Sequence, residues 1–130
     1  MKTTTLGKSP LKVSRLCLGT MMFGDQTPLE DARAIVADAQ EKGCNFIDTA
    51  DVYTLGKSEE IVGQVLKGQR HQWVLASKVG NAMSEEPNHK GYSRSWMLRA
   101  CEGSLCRLDT DHLDIYYLHR DYNGMNLEEP

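Results

Sequence analysis

Apolar residues fall along the chain in two alternating rhythms: short unbroken runs, and longer segments in which they recur roughly every three to four positions. The first run, RLCLGTMMFG (Arg15–Gly24), opens as a strand and breaks at Gly19. TPLEDARAIVADAQEKG follows with the marks of a helix. Thr27 can cap it, Pro28 suits its first turn and Glu30 completes a capping box. Ala32, Ile35, Val36 and Ala39 share one helical face, and Gly43 can end the helix in the left-handed region. The second run is NFIDTA. Its helix, SEEIVGQVLK, offers Ser58 as a cap, Glu59 and Glu60 at the positive helix start, and Ile61, Val62, Val65 and Leu66 as the inner face. The third run is WVLASKV, Trp73 to Val79. The segment from Gly80 to Tyr92 is rich in Gly, Pro, Asn and Ser and reads as a loop. A third helix is expected from about Ser93 to Leu108, with Met97, Leu98, Cys101, Leu105 and Leu108 on one side. After a turn at DTD, LDIYYLH (Leu113 to His119) is the fourth strand. Ahead of the repeat, KTTTLGKSPLKVS reads as a hairpin turning at Gly7–Pro10.

Strands alternating with helices imply a parallel sheet covered on both faces. Doubly wound sheets and (β/α)8 barrels both fit that α/β pattern. In the barrel, the chemistry gathers at the C-terminal ends of the strands. Each apolar strand here ends in a residue out of character with its core: Gly19-Thr20 on the first, Asp48 on the second, Lys78 on the third and His119 on the fourth. Tyr53 lies in the loop after the second. Four strand ends would thus bring a carboxylate, a phenol, an ammonium and an imidazole to one rim.

Composition narrows the classes. The 130 residues suffice for one globular unit, 40% are hydrophobic and 25% charged, and the net charge is −3. No basic stripe suggests a nucleic-acid partner, and no apolar run approaches the ~18 residues of a membrane span. Cys17, Cys44, Cys101 and Cys106 form no C-x-x-C pair and read as reduced core thiols of a cytoplasmic protein. Cys101 and Cys106, five apart, share no helical face. His71, His89 and His112 fall in expected loops, facing solvent, with no metal-ligand spacing. YTLGK matches a Y-x-x-x-K pair, but no G-x-G-x-x-G precedes it. LGKS occurs twice. A phosphate-binding loop ending at the second copy would need a glycine where Asp51 stands.

The constellation has a chemical reading. An isolated phenol holds its proton too firmly to protonate a carbonyl well at neutral pH, and a nearby ammonium favours the phenolate. A partly buried lysine needs a counter-ion, for which Asp48 is the candidate. His119 can donate a hydrogen bond to a carbonyl oxygen. Together these groups suit proton delivery to an oxygen whose carbon receives hydride.

The segments GCNFIDTADVYTLGKSEEIVGQVLK, WVLASKVG and EGSLCRLDTDHLDIYYLHRD, in that order and spacing, resemble the aldo-keto reductase family, in particular the bacterial branch related to potassium-channel β subunits. The resemblance covers essentially all of the chain. It implies a (β/α)8 barrel that transfers hydride from NADPH to small aldehydes or ketones. It also implies a catalytic tetrad of Asp48, Tyr53, Lys78 and His119, with Gly19, Thr20, Met21 and Asp48 beside the nicotinamide and its ribose. Residues 1–130 would then be the N-terminal half of a single barrel domain, about four β/α units. The fourth helix would begin at Asn126, with Pro130 in its first turn. The later strands would bind the cofactor's pyrophosphate and 2′-phosphate, so residues 1–130 alone would be inactive. The runner-up is a regulatory subunit that holds a nicotinamide cofactor as a redox sensor.

Overall fold

The structure, a computed structural model, describes residues 1–122. The expected start of a fourth helix at Asn126 lies outside the described residues. The chain opens as the expected hairpin: β1 (Thr3–Thr5) pairs antiparallel with β2 (Lys12–Ser14), Thr4 opposite Val13. The turn closes with Leu6 N donating to Leu11 O at 2.9 Å and Ser9 Oγ donating to Leu6 O at 2.8 Å.

Four strands then build one parallel sheet in the order β3 (Leu18–Gly19), β4 (Phe46–Asp48), β5 (Val74–Val79) and β6 (Ile115–Leu118). The register sets Gly19 beside Asp48, Asp48 beside Ala76, and Lys78 beside Tyr117. The first and last strands each keep one unpaired edge among the described residues, as part of a closed barrel would.

The strands connect through α1 (Leu29–Glu41), α2 (Lys57–Leu66) and α3 (Arg94–Leu108). Ile47 and Leu75 project from the sheet into one cluster with Ala32 and Val36 of α1, Ile61, Val62, Val65 and Leu66 of α2, and Leu108 of α3. Each large aliphatic side chain buried there contributes roughly 1.5–3 kcal/mol. All three helices therefore cover the same face. A doubly wound sheet splits its helices between two faces and reverses its strand order, and neither happens among the described residues. The architecture is α/β, of the (β/α)8 barrel class, and this chain supplies the first four strands. The face opposite the helices becomes the barrel interior. Its lower part is filled by Phe46, Val74 and Ala76, with Val13 and Leu6 of the hairpin and Ile115 packed against them. Phe46, Val74 and Ile115 open their strands, so the hairpin seals the N-terminal end.

Several helix details differ from expectation. α1 starts with Pro28 at the cap and no side-chain cap bond, so Thr27 and Glu30 form no capping box. Ile35 is exposed while Ala32 and Val36 are wholly buried, because the helix packs on the i, i+4 row. Gly43 does end α1, at φ +84°. On α3 the buried row is Trp96, Ala100, Ser104 and Leu108, and Leu98 faces out. Ser93 caps that helix by accepting from Trp96 N. The ring of Trp96 takes the place that Leu98 was expected to fill, and His89, expected in solvent, stacks on it at 4.7 Å. Cys44 is buried, whereas Cys17 and Cys106 are exposed and Cys101 is half-buried; all four are free. Among the described residues no helix is long and apolar enough to cross a membrane, and no cluster of His, Cys, Asp or Glu could hold a metal.

Candidate active site

The sheet ends where its interior residues become polar. Alternation along β4 and β5 puts Ile47, Leu75 and Ser77 on the helix side and Asp48, Ala76 and Lys78 on the interior side. The backbone keeps this geometry one step past β4: Thr49 N donates to Ala76 O at 3.0 Å and Asp51 N to Lys78 O at 3.3 Å. That extension carries the chain up to Tyr53, where it turns sharply. Thr54 and Leu55 both adopt φ +50°, a strained conformation for residues with a Cβ. Gly56, at φ +94°, completes the turn; a Cβ there would meet Arg107 Cδ at 2.7 Å. α2 starts at the next residue.

Lys78 is the centre of the rim. Its Nζ donates to Asp48 Oδ2 at 2.6 Å, to Thr49 O at 2.8 Å and to Tyr53 Oη at 2.9 Å. An ammonium has three protons, and these three acceptors use all of them. Its side chain is 15% exposed and that of Asp48 23%, so the pair is shielded yet reachable. The His119 ring meets the Tyr53 ring edge-on at 5.8 Å between centroids. His119 N donates to Val79 O at 2.9 Å, which fixes it just past the end of β6. All four residues singled out in the sequence thus come together. Tyr117, the register partner of Lys78, was not foreseen there; burial, and then the Asp48 carboxylate, push its phenol up.

Burial, then the Lys78 ammonium and the Arg120 guanidinium, hold His119 below its usual 6.5. The imidazole is therefore neutral near neutral pH and carries one N–H. Its Nδ1 is buried without a partner among the described residues. A titration of the ring protons by NMR should place the His119 midpoint below pH 6.5; a midpoint above that value would remove the neutral donor.

Gly19 lies on the open rim, where an added Cβ would meet nothing within 4 Å, and Met21 is exposed. Thr20 differs from its neighbours. It is wholly buried, and its hydroxyl donates to Asp48 O at 3.0 Å. The expected cap Ser58 is likewise buried, inside the first turn of α2, and bonds to Thr20 and Thr49 instead of to its own helix. Glu59, expected at the positive start of the helix, is there and wholly buried. It accepts from Ser77 Oγ at 2.5 Å and from Arg107 Nε at 2.7 Å. No sequence signal separates such residues from ordinary helix-start polars, except that they flank a rim-bearing loop.

Asp51 is wholly buried, and neither carboxylate oxygen has a partner among the described residues. Burial, and then the Glu59 charge, push its carboxyl from 3.8 up to about 7. Between those values the unfolded chain has released a proton that the folded chain keeps, so stability falls as pH rises through that window. Asp51→Asn is blind to pH. Its stability relative to the parent should improve from about pH 4 to about pH 8 by something on the order of 2–4 kcal/mol. Thermal unfolding at several pH values checks this, and a gap that stays constant with pH would contradict it.

The family model described as "Aldo/keto reductase family" matches residues 15–129. The chain belongs to the aldo/keto reductase family. It is 39% identical, over 99% of its length and 40% of the other's, to a rice (Oryza sativa subsp. japonica) protein described as "Probable voltage-gated potassium channel subunit beta". It is 38% identical, over 99% of its length and 42% of the other's, to an uncharacterised oxidoreductase of Bacillus subtilis. Among solved structures, the holo form of an aldo-keto reductase from Bacillus halodurans matches 99% of this aldo/keto reductase chain with a TM-score of 0.87 at 39% identity, over 43% of its own length. The chain spans about two-fifths of the length of the curated relatives it matches.

Proposed function

We propose that this chain is the proton-delivering half of an NADP-dependent carbonyl reductase, with Tyr53 as the general acid. The observation that carries the reading is the Lys78 ammonium held between Asp48 at 2.6 Å and Tyr53 at 2.9 Å. The rim suits a nicotinamide cofactor: it is open at Gly19 and Met21, and a hydride donor needs a proton donor beside it. NADPH, when bound, supplies the hydride to an aldehyde or ketone.

The chain's own residues manage the proton. Tyr53 Oη gives its hydrogen to the carbonyl oxygen as negative charge develops there. The Lys78 ammonium stabilises the phenolate that remains, and Asp48 keeps Lys78 charged and aimed. The neutral His119 ring donates its N–H to the same carbonyl oxygen and orients it. Thr20, spent on Asp48 O and Ser58, braces the rim, so contacts from this lip to the cofactor fall to Met21 and the backbone.

The rice relative, described as a probable potassium channel β subunit, favours a second reading, a regulatory subunit that holds the cofactor without turning over a carbonyl. One assay separates the two. In a complete barrel carrying this chain, NADPH oxidation is followed with a panel of aldehydes and ketones. Turnover supports the reductase. Tight cofactor binding with no turnover on any carbonyl supports the regulatory subunit.

A further inference from the structure

We infer that Ser58 is a positioning residue for Lys78, acting through Thr49. The inference rests on the tetrad reading above and extends it to a residue that touches none of the reacting groups.

Ser58, Thr20 and Thr49 are all wholly buried. Ser58 Oγ lies 2.8 Å from Thr20 O, 3.0 Å from Thr20 Oγ1 and 3.0 Å from Thr49 Oγ1. A hydroxyl has one proton to give and two lone pairs to receive. Thr20 O can only accept, so the Ser58 proton goes there. The Thr49 hydroxyl must then donate to Ser58 Oγ. The Thr20 hydroxyl also lies 3.0 Å from Asp48 O, which it can serve as donor. One direction of donation therefore runs from Thr49 through Ser58 to Thr20 O, with the Asp48 backbone held by Thr20.

Thr49 is where this chain reaches the chemistry. Its backbone carbonyl takes one of the three protons of Lys78, at 2.8 Å. Its side chain points to the helix side and its carbonyl to Lys78, so fixing the hydroxyl fixes the peptide. Ser58 is able to do this because Gly56, not Ser58, occupies the cap position of α2. Its hydroxyl is free of the helix it belongs to. Without Ser58 Oγ, the Thr49 hydroxyl loses its buried acceptor and the peptide must shift to find another. Lys78 then no longer sits at the distance that serves Tyr53.

The test uses a complete barrel carrying this chain, with NADPH and nitrobenzaldehyde for reduction, and NADP+ and nitrobenzyl alcohol for oxidation. Ser58→Ala is expected to lower kcat by about tenfold in both directions, which share one transition state, with KM values little changed. The discriminating readout is coupling to Lys78. Thr49→Val keeps the side-chain shape while deleting the hydroxyl, and should reproduce the loss even if Ser58→Ala folds poorly. In a Lys78→Met background neither substitution should cost anything further, since both act through the missing ammonium, whereas a merely structural defect would slow that background as much as the parent. A raised KM with kcat unchanged, or losses that multiply with that of Lys78→Met, overturn the role of Ser58 while leaving the tetrad intact. A Lys78→Met enzyme as active as its parent overturns both.

Discussion

Replacing Tyr53 with phenylalanine should lower kcat for carbonyl reduction by roughly 10²-fold or more, the range that general acid catalysis supplies. The exchange deletes one oxygen and keeps the ring that meets His119 edge-on at 5.8 Å. Packing and fold should therefore survive. Cofactor affinity should hardly move, because the hydroxyl serves the carbonyl oxygen. The deletion also frees one proton of Lys78, which still has Asp48 and Thr49 as acceptors. Single-turnover kinetics, in which hydride transfer is seen directly, are the measurement. A variant that reduces aldehydes at the parent's rate under those conditions would falsify the assignment of Tyr53 as the acid.

Lys78→Met should produce a loss of similar size. The substitution keeps much of the apolar stem and removes the charge 2.9 Å from the phenol oxygen. The phenolate loses the neighbour that stabilises it, so proton donation to the carbonyl becomes harder. Alcohol oxidation, the reverse of the same step, should fall by the same factor, and the loss should vanish in a Tyr53→Phe background because the ammonium acts through the phenol. The variant also strands Asp48 without its cation. Asp48→Asn should give a milder version, since Lys78 keeps its charge and its two other acceptors. Single-turnover rates for the parent, Lys78→Met, Asp48→Asn and the Lys78→Met/Tyr53→Phe double variant check the order. Losses of Lys78→Met and Tyr53→Phe that multiply in the double variant would mean that the ammonium does not act through the phenol.

The rim was legible in the sequence because it breaks a rule locally. A parallel strand reads as continuous apolar residues, so Asp48 after Phe46-Ile47 and Lys78 after Val74-Leu75-Ala76 stand out against their own elements. The alternation of strand and helix likewise announced the architecture. Its choice between a doubly wound sheet and a barrel had to wait for the face on which the helices pack, which depends on contacts distant in the chain. The support behind the rim stayed hidden for a related reason. Ser58 and Glu59 open a helix with an apolar inner face, and polar residues there are ordinarily caps or solvated charges. Only the paths of Thr49, Ser77 and Arg107 past them turn the pair into buried partners. On α3, periodicity identified a helix but not its rotation. The large ring of Trp96, pinned by Ser93 at the cap and covered by His89, sets which row faces the sheet.

The hairpin at the chain's start has a bearing on traffic. Val13 and Leu6, pressed against Phe46, Val74, Ala76 and Ile115, give the interior a dry apolar floor directly below the charged rim. On the side this chain builds, that floor offers no polar group to relay a proton. In a reductase working as proposed, Tyr53 ends each cycle as a phenolate and must regain a proton before the next. From this side, that proton would arrive at the rim, where carbonyl and alcohol also pass. Departure of the alcohol and recharging of the phenol would then be sequential events there, and a product slow to leave would hold the acid empty behind it.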